Sequence, residues 1–357
     1  MRGSTIPSRL RLPLATAAMV ALAATVMPSA AVASYPGSTN TCTVYSVPVA
    51  VTEGGPVDQT VVGELCMPRF GTPKTVQLLV HGATYNRTYW NFPYQPNRYS
   101  YVNYAVAAGY ATFAVDVVGA GDSSHPAGSQ VTIFSAAEAL HHVITKLRAG
   151  AIGSVAFSKV IWVGHSMGSA AGWAEISRYH DVDAFIATGA PHTLSLATLG
   201  SAIIIPASQD PKFAPLGLDS NYISLPESDR SSLFYYAPTT DPQAFAVDYA
   251  NRDAFTIPAL NTGNGLFLEP ASTAITRNVN VPVLDIFGEH DPLFCAPDAY
   301  DCSNYSIVKQ NEMMFYPNAT SFDMVIVPST GHDLNTHMTA PYSYATMLSW
   351  ALGHIAP

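Results

Sequence analysis

Short, largely apolar runs recur along this chain with a βα rhythm. Residues 76–80, 111–115, 160–163, 184–187, 283–287 and 324–327 are rich in Val, Ile, Leu, Phe and Ala and show little alternation of polar and apolar positions. Strands buried on both faces belong to a sheet covered by helices on both sides, so the pattern predicts a mainly parallel α/β sheet. Helical spacing is expected at 135–148, 166–178 and 342–354. Upstream, residues 44–51 and 60–66 flank Gly54-Gly55-Pro56 and predict a leading β-hairpin. Residues 194–278 break the rhythm, with many Pro, Ser, Asp and aromatic positions and no clear βα unit. A structureless loop of that length is rare in a compact domain. The segment is therefore expected to be a small, mainly helical cap over the C-terminal edge of the sheet, where open α/β folds bind ligands. The expected organisation is a leader over 1–33, a core over 34–193, the cap insertion over 194–278 and the rest of the core over 279–357.

The run from Lys159 to Val163 stops at Gly164-His165-Ser166-Met167-Gly168, and the small residues Ala170, Ala171 and Gly172 follow. A strand, a tight turn with serine at its apex and a helix make the arrangement called a nucleophile elbow. The helix behind the turn opens with unpaired N–H groups and a positive dipole end, both suited to an oxyanion. A serine needs a base, and the base an orienting acid, in the chain order Ser, Asp/Glu, His. Asp291 lies three residues past Gly288 at the end of one predicted strand, and His332 follows the last predicted strand through Pro328-Ser329-Thr330-Gly331. Glu289 and His290 should point elsewhere on their turn, Asp285 lies inside its strand, and His337 and His354 lie farther along the chain. Ser166, Asp291 and His332 thus share one sheet edge. Two backbone donors are expected for the oxyanion, Met167 directly after the serine and Ala83 in the His81-Gly82-Ala83-Thr84 loop, with Thr84 second. Tyr85, Tyr89 and Trp90, with His165, are candidates for an apolar substrate wall, packing against the cap being the other reading. Asp116, before a glycine-rich turn, is expected to tie loops together.

With elbow, His-Gly loop, Asp and His in order, the chain resembles the α/β-hydrolase superfamily from about Val44 to its end. Leu79-Val-His-Gly-Ala-Thr-Tyr-Asn86 with Asp116-Val-Val-Gly-Ala-Gly-Asp-Ser123 looks like the capped, secreted hydrolases of actinobacteria and filamentous fungi. The resemblance implies a doubly wound eight-stranded sheet and a serine-hydrolase mechanism, with Ser166 as nucleophile, His332 as base and Asp291 as orienting acid. It fixes mechanism better than substrate, because the superfamily also holds acyltransferases, thioesterases, perhydrolases and lyases. The expected activity is hydrolysis of carboxylic esters of apolar acyl groups. Acyl transfer or perhydrolysis on the same triad is the alternative, and a non-catalytic ligand-binding protein a remote one.

Composition narrows the setting. Arg2, Arg9 and Arg11, an apolar alanine-rich run and Ala31-Val32-Ala33 read as a secretory signal peptide, predicting a secreted protein with no membrane span after cleavage. Loss of those three arginines takes the formal charge from −9 to −12, and the chain has no basic cluster to favour nucleic acid. The expected partner is a small-molecule or lipid-like ester. Four cysteines in a secreted chain suggest two disulfides. Cys42–Cys66 and Cys295–Cys302 are favoured among three pairings, the first across the predicted hairpin and the second closing a short loop after Asp291. The mechanism calls for no cofactor, and no Cys/His pairing suggests a metal.

Overall fold

A computed structural model describes residues 40–357, with Met1 and the Pro28–Ser29 backbone. The expected cleavage site, and nearly all of the expected leader, lie outside the described residues. Eight strands form the main sheet: β1 (Asn40–Val49), β2 (Gln59–Pro68), β3 (Thr75–Val80), β4 (Ala111–Asp116), β5 (Lys159–His165), β6 (Ala184–Thr188), β7 (Pro282–Gly288) and β8 (Ser321–Val327). Their spatial order is β1-β2-β4-β3-β5-β6-β7-β8, and Pro28–Ser29 pairs with the outer edge of β1. Strands β3 to β8 run parallel, whereas β2 is antiparallel to β1 and β4. This is the expected mostly parallel α/β-hydrolase sheet. Every residue of β3, β4 and β6 is buried, as a strand covered on both faces requires.

Helices α1 (Tyr101–Ala107), α2 (Ile133–Arg148), α3 (Met167–Tyr179), α7 (Tyr305–Met313) and α8 (Ala340–His354) complete the core; α1 and α7 were not anticipated. Thr132 and Ser135 form a capping box at the start of α2, each side chain bonding the other's backbone N–H, and Lys146 and Arg148 favour its C-terminal end. Its buried positions include Ala136, Leu140, Val143, Ile144 and Leu147, one stripe at helical spacing.

Between β6 and β7 lie a short helix at Leu196–Ser201, then α4 (Glu227–Phe234), α5 (Pro242–Asn251) and α6 (Ile257–Phe267). Three antiparallel strands of two or three residues, Ile205–Pro206, Tyr222–Ser224 and Phe255–Thr256, make a small second sheet. Residues that read as breaks in the sequence turn out to be helix starts. Ser195, Asp241 and Thr256 each accept a backbone N–H as N-caps, and α5 and α6 have proline in their first turn. Leu233, Phe234, Leu266 and Phe267 of this segment belong to the same apolar cluster as the sheet.

Both expected disulfides are present. Cys42 and Cys66 face each other across β1 and β2, and Cys295–Cys302 closes the loop that follows Asp291.

Asp285 lies in the middle of β7, fully buried, and neither carboxyl oxygen has a hydrogen-bond partner among the described residues. Burial, with Glu312 nearby, pushes its carboxyl well above the usual range. The native state therefore holds the Asp285 proton more tightly than the unfolded chain does. The resulting penalty is absent below the unfolded value near 3.8 and grows as pH rises towards the folded value. Asp285→Asn should accordingly gain stability relative to wild type as pH is raised from about 4 to about 8. Urea unfolding at both pH values measures this; a difference independent of pH would rule it out.

Candidate active site

Strand register brings the site together. Val80, the last residue of β3, pairs with Gly164, and His165 pairs with Thr188. The loop after β3 therefore lies beside the loop after β5. They meet where the sheet changes winding direction, the position at which open α/β sheets bind ligands. Ser166 is the single residue between β5 and α3, at φ 51° and ψ −119°. Positive φ in a non-glycine residue marks a strained turn. Gly164 and Gly168 are required here for space. A Cβ on Gly164 would lie 2.6 Å from the Gly168 carbonyl, and one on Gly168 would lie 2.4 Å from the Val80 carbonyl.

The Ser166 hydroxyl makes no hydrogen bond among the described residues, and Ser166 lines a cavity together with Met167, Ala83 and Thr84. The N–H groups of Met167 and Ala83 likewise have no backbone partner. His332 Nδ1 lies 2.7 Å from Asp291 Oδ2, with both side chains buried. The other oxygen of Asp291 accepts the Leu293 N–H at 2.9 Å. The His332 ring is held among Phe234, Phe294 and His165, with ring centres 5.2, 5.6 and 4.8 Å away. The competing groups are occupied elsewhere: Glu289 accepts the Ser329 N–H, His290 stacks on Tyr236, and His337 accepts the Tyr236 N–H.

The expected aromatic wall differs from expectation. Tyr85, Tyr89, Trp90 and His165 are buried and none lines the cavity. Tyr89 stacks on His165 at 4.4 Å, and His165 Nδ1 lies 3.1 Å from Thr188 Oγ1. Burial, with His332 beside it, holds His165 well below the usual histidine range, so the ring is neutral packing. The apolar wall comes instead from the segment between β6 and β7 and the loop after β7, chiefly Leu194, Ile223, Leu233, Phe255, Phe267 and Phe294. Asp116 does tie loops, accepting the backbone N–H groups of Arg87 and Asp122 as well as the Arg87 side chain.

A model of the alpha/beta hydrolase family matches residues 77–343. The chain belongs to the alpha/beta hydrolase family. Among solved structures this hydrolase is similar to a bromoperoxidase from Bacillus anthracis (TM-score 0.56, 19% identity, covering 85% of this chain and 99% of that one). It is also similar to an esterase from Exiguobacterium antarcticum (TM-score 0.55, 15% identity, 85% and 98%) and to tomato methylketone synthase I (TM-score 0.54, 13% identity, 80% and 100%). At such identities the likeness is one of fold. No curated protein sequence matches the chain significantly.

One group at this hydrolase's site gave no sequence signal. Arg230 of α4 is fully buried and makes a two-point pair with Asp248 of α5, at 2.6 and 2.8 Å. It also donates to the carbonyl and hydroxyl of Thr84, next to Ala83, and its guanidinium lies 4.2 Å from the Tyr85 ring centre. Tyr235 extends the network, donating within reach of Asp248 and Asp333, and Tyr85 donates to Asp333, the residue after His332. The segment between β6 and β7 thus grips both the Ala83 loop and the His332 loop through one buried polar network. Arg230→Ala should destabilise the fold by about 3–5 kcal/mol, because it strands Asp248 without its partner. The Arg230→Ala/Asp248→Ala double variant should lose less than the sum of the two single losses. Denaturant unfolding of the four proteins tests this, and strict additivity would refute the coupling.

Proposed function

We propose that the protein is a secreted serine hydrolase that cleaves carboxylic esters of apolar acyl groups, with residues 194–278 acting as its cap. One observation carries this reading: a serine in a strained turn shares a largely apolar cavity with two backbone N–H groups, the hydroxyl and both N–H groups being unpaired among the described residues. Ser166 Oγ attacks the ester carbonyl while His332 Nε2 takes its proton. Charge then develops on the former carbonyl oxygen, where the N–H groups of Met167 and Ala83 stabilise it. The imidazolium passes its proton to the departing alcohol, leaving the acyl group on Ser166. His332 next activates a water that releases the acid, and the Asp291 carboxylate keeps the imidazole oriented throughout.

The walls support the choice of acyl group. Beyond Ser166, the polar side chains lining the cavity are Thr84, Ser224 and Asn264, and the Thr84 hydroxyl is engaged by Arg230. Ile204 lines the cavity and is 37% exposed, with Ile203 beside it and Leu196 nearby in sequence at 59% each. An apolar rim of this kind suits a lipid-like ester. Secretion is supported by the two disulfides, which persist in oxidising compartments.

A fluorophosphonate probe followed by mass spectrometry, wild type beside Ser166→Ala, tests the assignment. We expect one adduct, on Ser166, and a loss of at least about 10⁴-fold in p-nitrophenyl ester turnover in the variant. Undiminished turnover in folded Ser166→Ala would overturn the mechanism.

A further inference from the structure

Glu175, on the same helix that begins after Ser166, is fully buried, yet neither of its carboxylate oxygens has a hydrogen-bond partner among the described residues. Two groups face it. His141 of α2 places Nδ1 3.5 Å from Glu175 Oε1 and 2.7 Å from Asp181 Oδ2. Asp181 follows the left-handed cap residue His180 at the end of α3, and its Oδ1 is also buried without a partner. One ligand atom from each of the three residues fits within 4.8 Å of the others.

Two carboxylates this close, one with no access to solvent, repel each other unless positive charge lies between them. Arg148 does not supply it directly. Its guanidinium donates to the carbonyls of Asp181 and Ser158 and to the Asp183 carboxylate. The His141 ring is oriented by stacking on Tyr179 at 3.8 Å. The mouth of the cluster is open, with the His141 side chain 29% and the Asp181 side chain 20% exposed.

We propose that His141, Glu175 and Asp181 bind a divalent transition-metal ion, best matched by Zn²⁺, between α2 and the C-terminal part of α3. An imidazole nitrogen with two carboxylate oxygens is a zinc-type donor set, and water from the open side completes a tetrahedron. Calcium and magnesium prefer all-oxygen shells with more ligands. The ion takes no part in ester cleavage. It pins α3 to α2, and the site stands whether or not the hydrolase reading does.

The full chain, treated with chelator and then titrated with Zn²⁺ by calorimetry and thermal unfolding, with Ca²⁺ and Mg²⁺ as controls, tests the site. One equivalent of Zn²⁺ should bind and raise Tm by about 5 °C or more at a hundredfold excess over Kd. Co²⁺ in its place should give the visible absorption of a tetrahedral site. His141→Ala and Asp181→Asn should each weaken Zn²⁺ binding at least about tenfold, with fluorophosphonate labelling unchanged. A Zn²⁺ effect that survives both substitutions would be surface binding elsewhere and would overturn the proposal. So would the absence of any effect in the wild type. In that case a shared proton holds the carboxyls, and Glu175→Gln would raise Tm of the chelator-treated protein.

Discussion

Holding Ser166 at positive φ is the constraint on which the site depends. Such a conformation costs of the order of 1–3 kcal/mol and persists only where its surroundings leave no alternative. Here the Ser166 N–H is bonded to Thr188 of β6 at 2.8 Å, and its carbonyl accepts from Ser169 and Ala170 in the first turn of α3. The helix cannot retreat, because Trp162 of β5 donates from its indole to the Gly168 carbonyl at 3.1 Å. It has no room to advance either, since even a Cβ on Gly168 would lie 2.4 Å from the Val80 carbonyl at the end of β3. The strain is therefore balanced by the packing of an interior sheet against one helix.

Polar chemistry and apolar volume come from different parts of the chain. Ser166, Ala83, Asp291 and His332 sit on loops, and Met167 at the start of α3, all at one edge of the sheet, whereas much of the cavity wall belongs to residues between β6 and β7. The two contributions are not independent. Phe234 both lines the cavity and packs against His332, so the segment that shapes the pocket also confines the imidazole.

Much of this was legible because it is local. Strands β3 to β7 bury both faces, and a one-dimensional apolar run records that directly. Ser166, Asp291 and His332 follow strand ends closely, so sequence position alone assigned them to one edge. The aromatic stretch after β3 was less readable, since composition does not say which way a ring turns. The Tyr85 hydroxyl has a buried partner in Asp333, and that partner draws the ring inward. The short strands of the insertion carry too few residues for any period. Arg230 with Thr84, and His141 with Asp181, are pairings across long separations that leave no trace in local pattern.

The Arg230 contact bears on how this molecule could diversify. An insertion that merely roofed the sheet could be exchanged among relatives as a free cassette, with new walls and unchanged chemistry. Here the segment between β6 and β7 reaches down to brace the backbone beside Ala83. A recombinant that received a foreign segment would lose that brace unless an equivalent guanidinium came with it. Inheritance of pocket shape and of reactive geometry is thereby linked, and new specificities in this lineage are more readily reached by point changes on the pocket walls than by wholesale replacement.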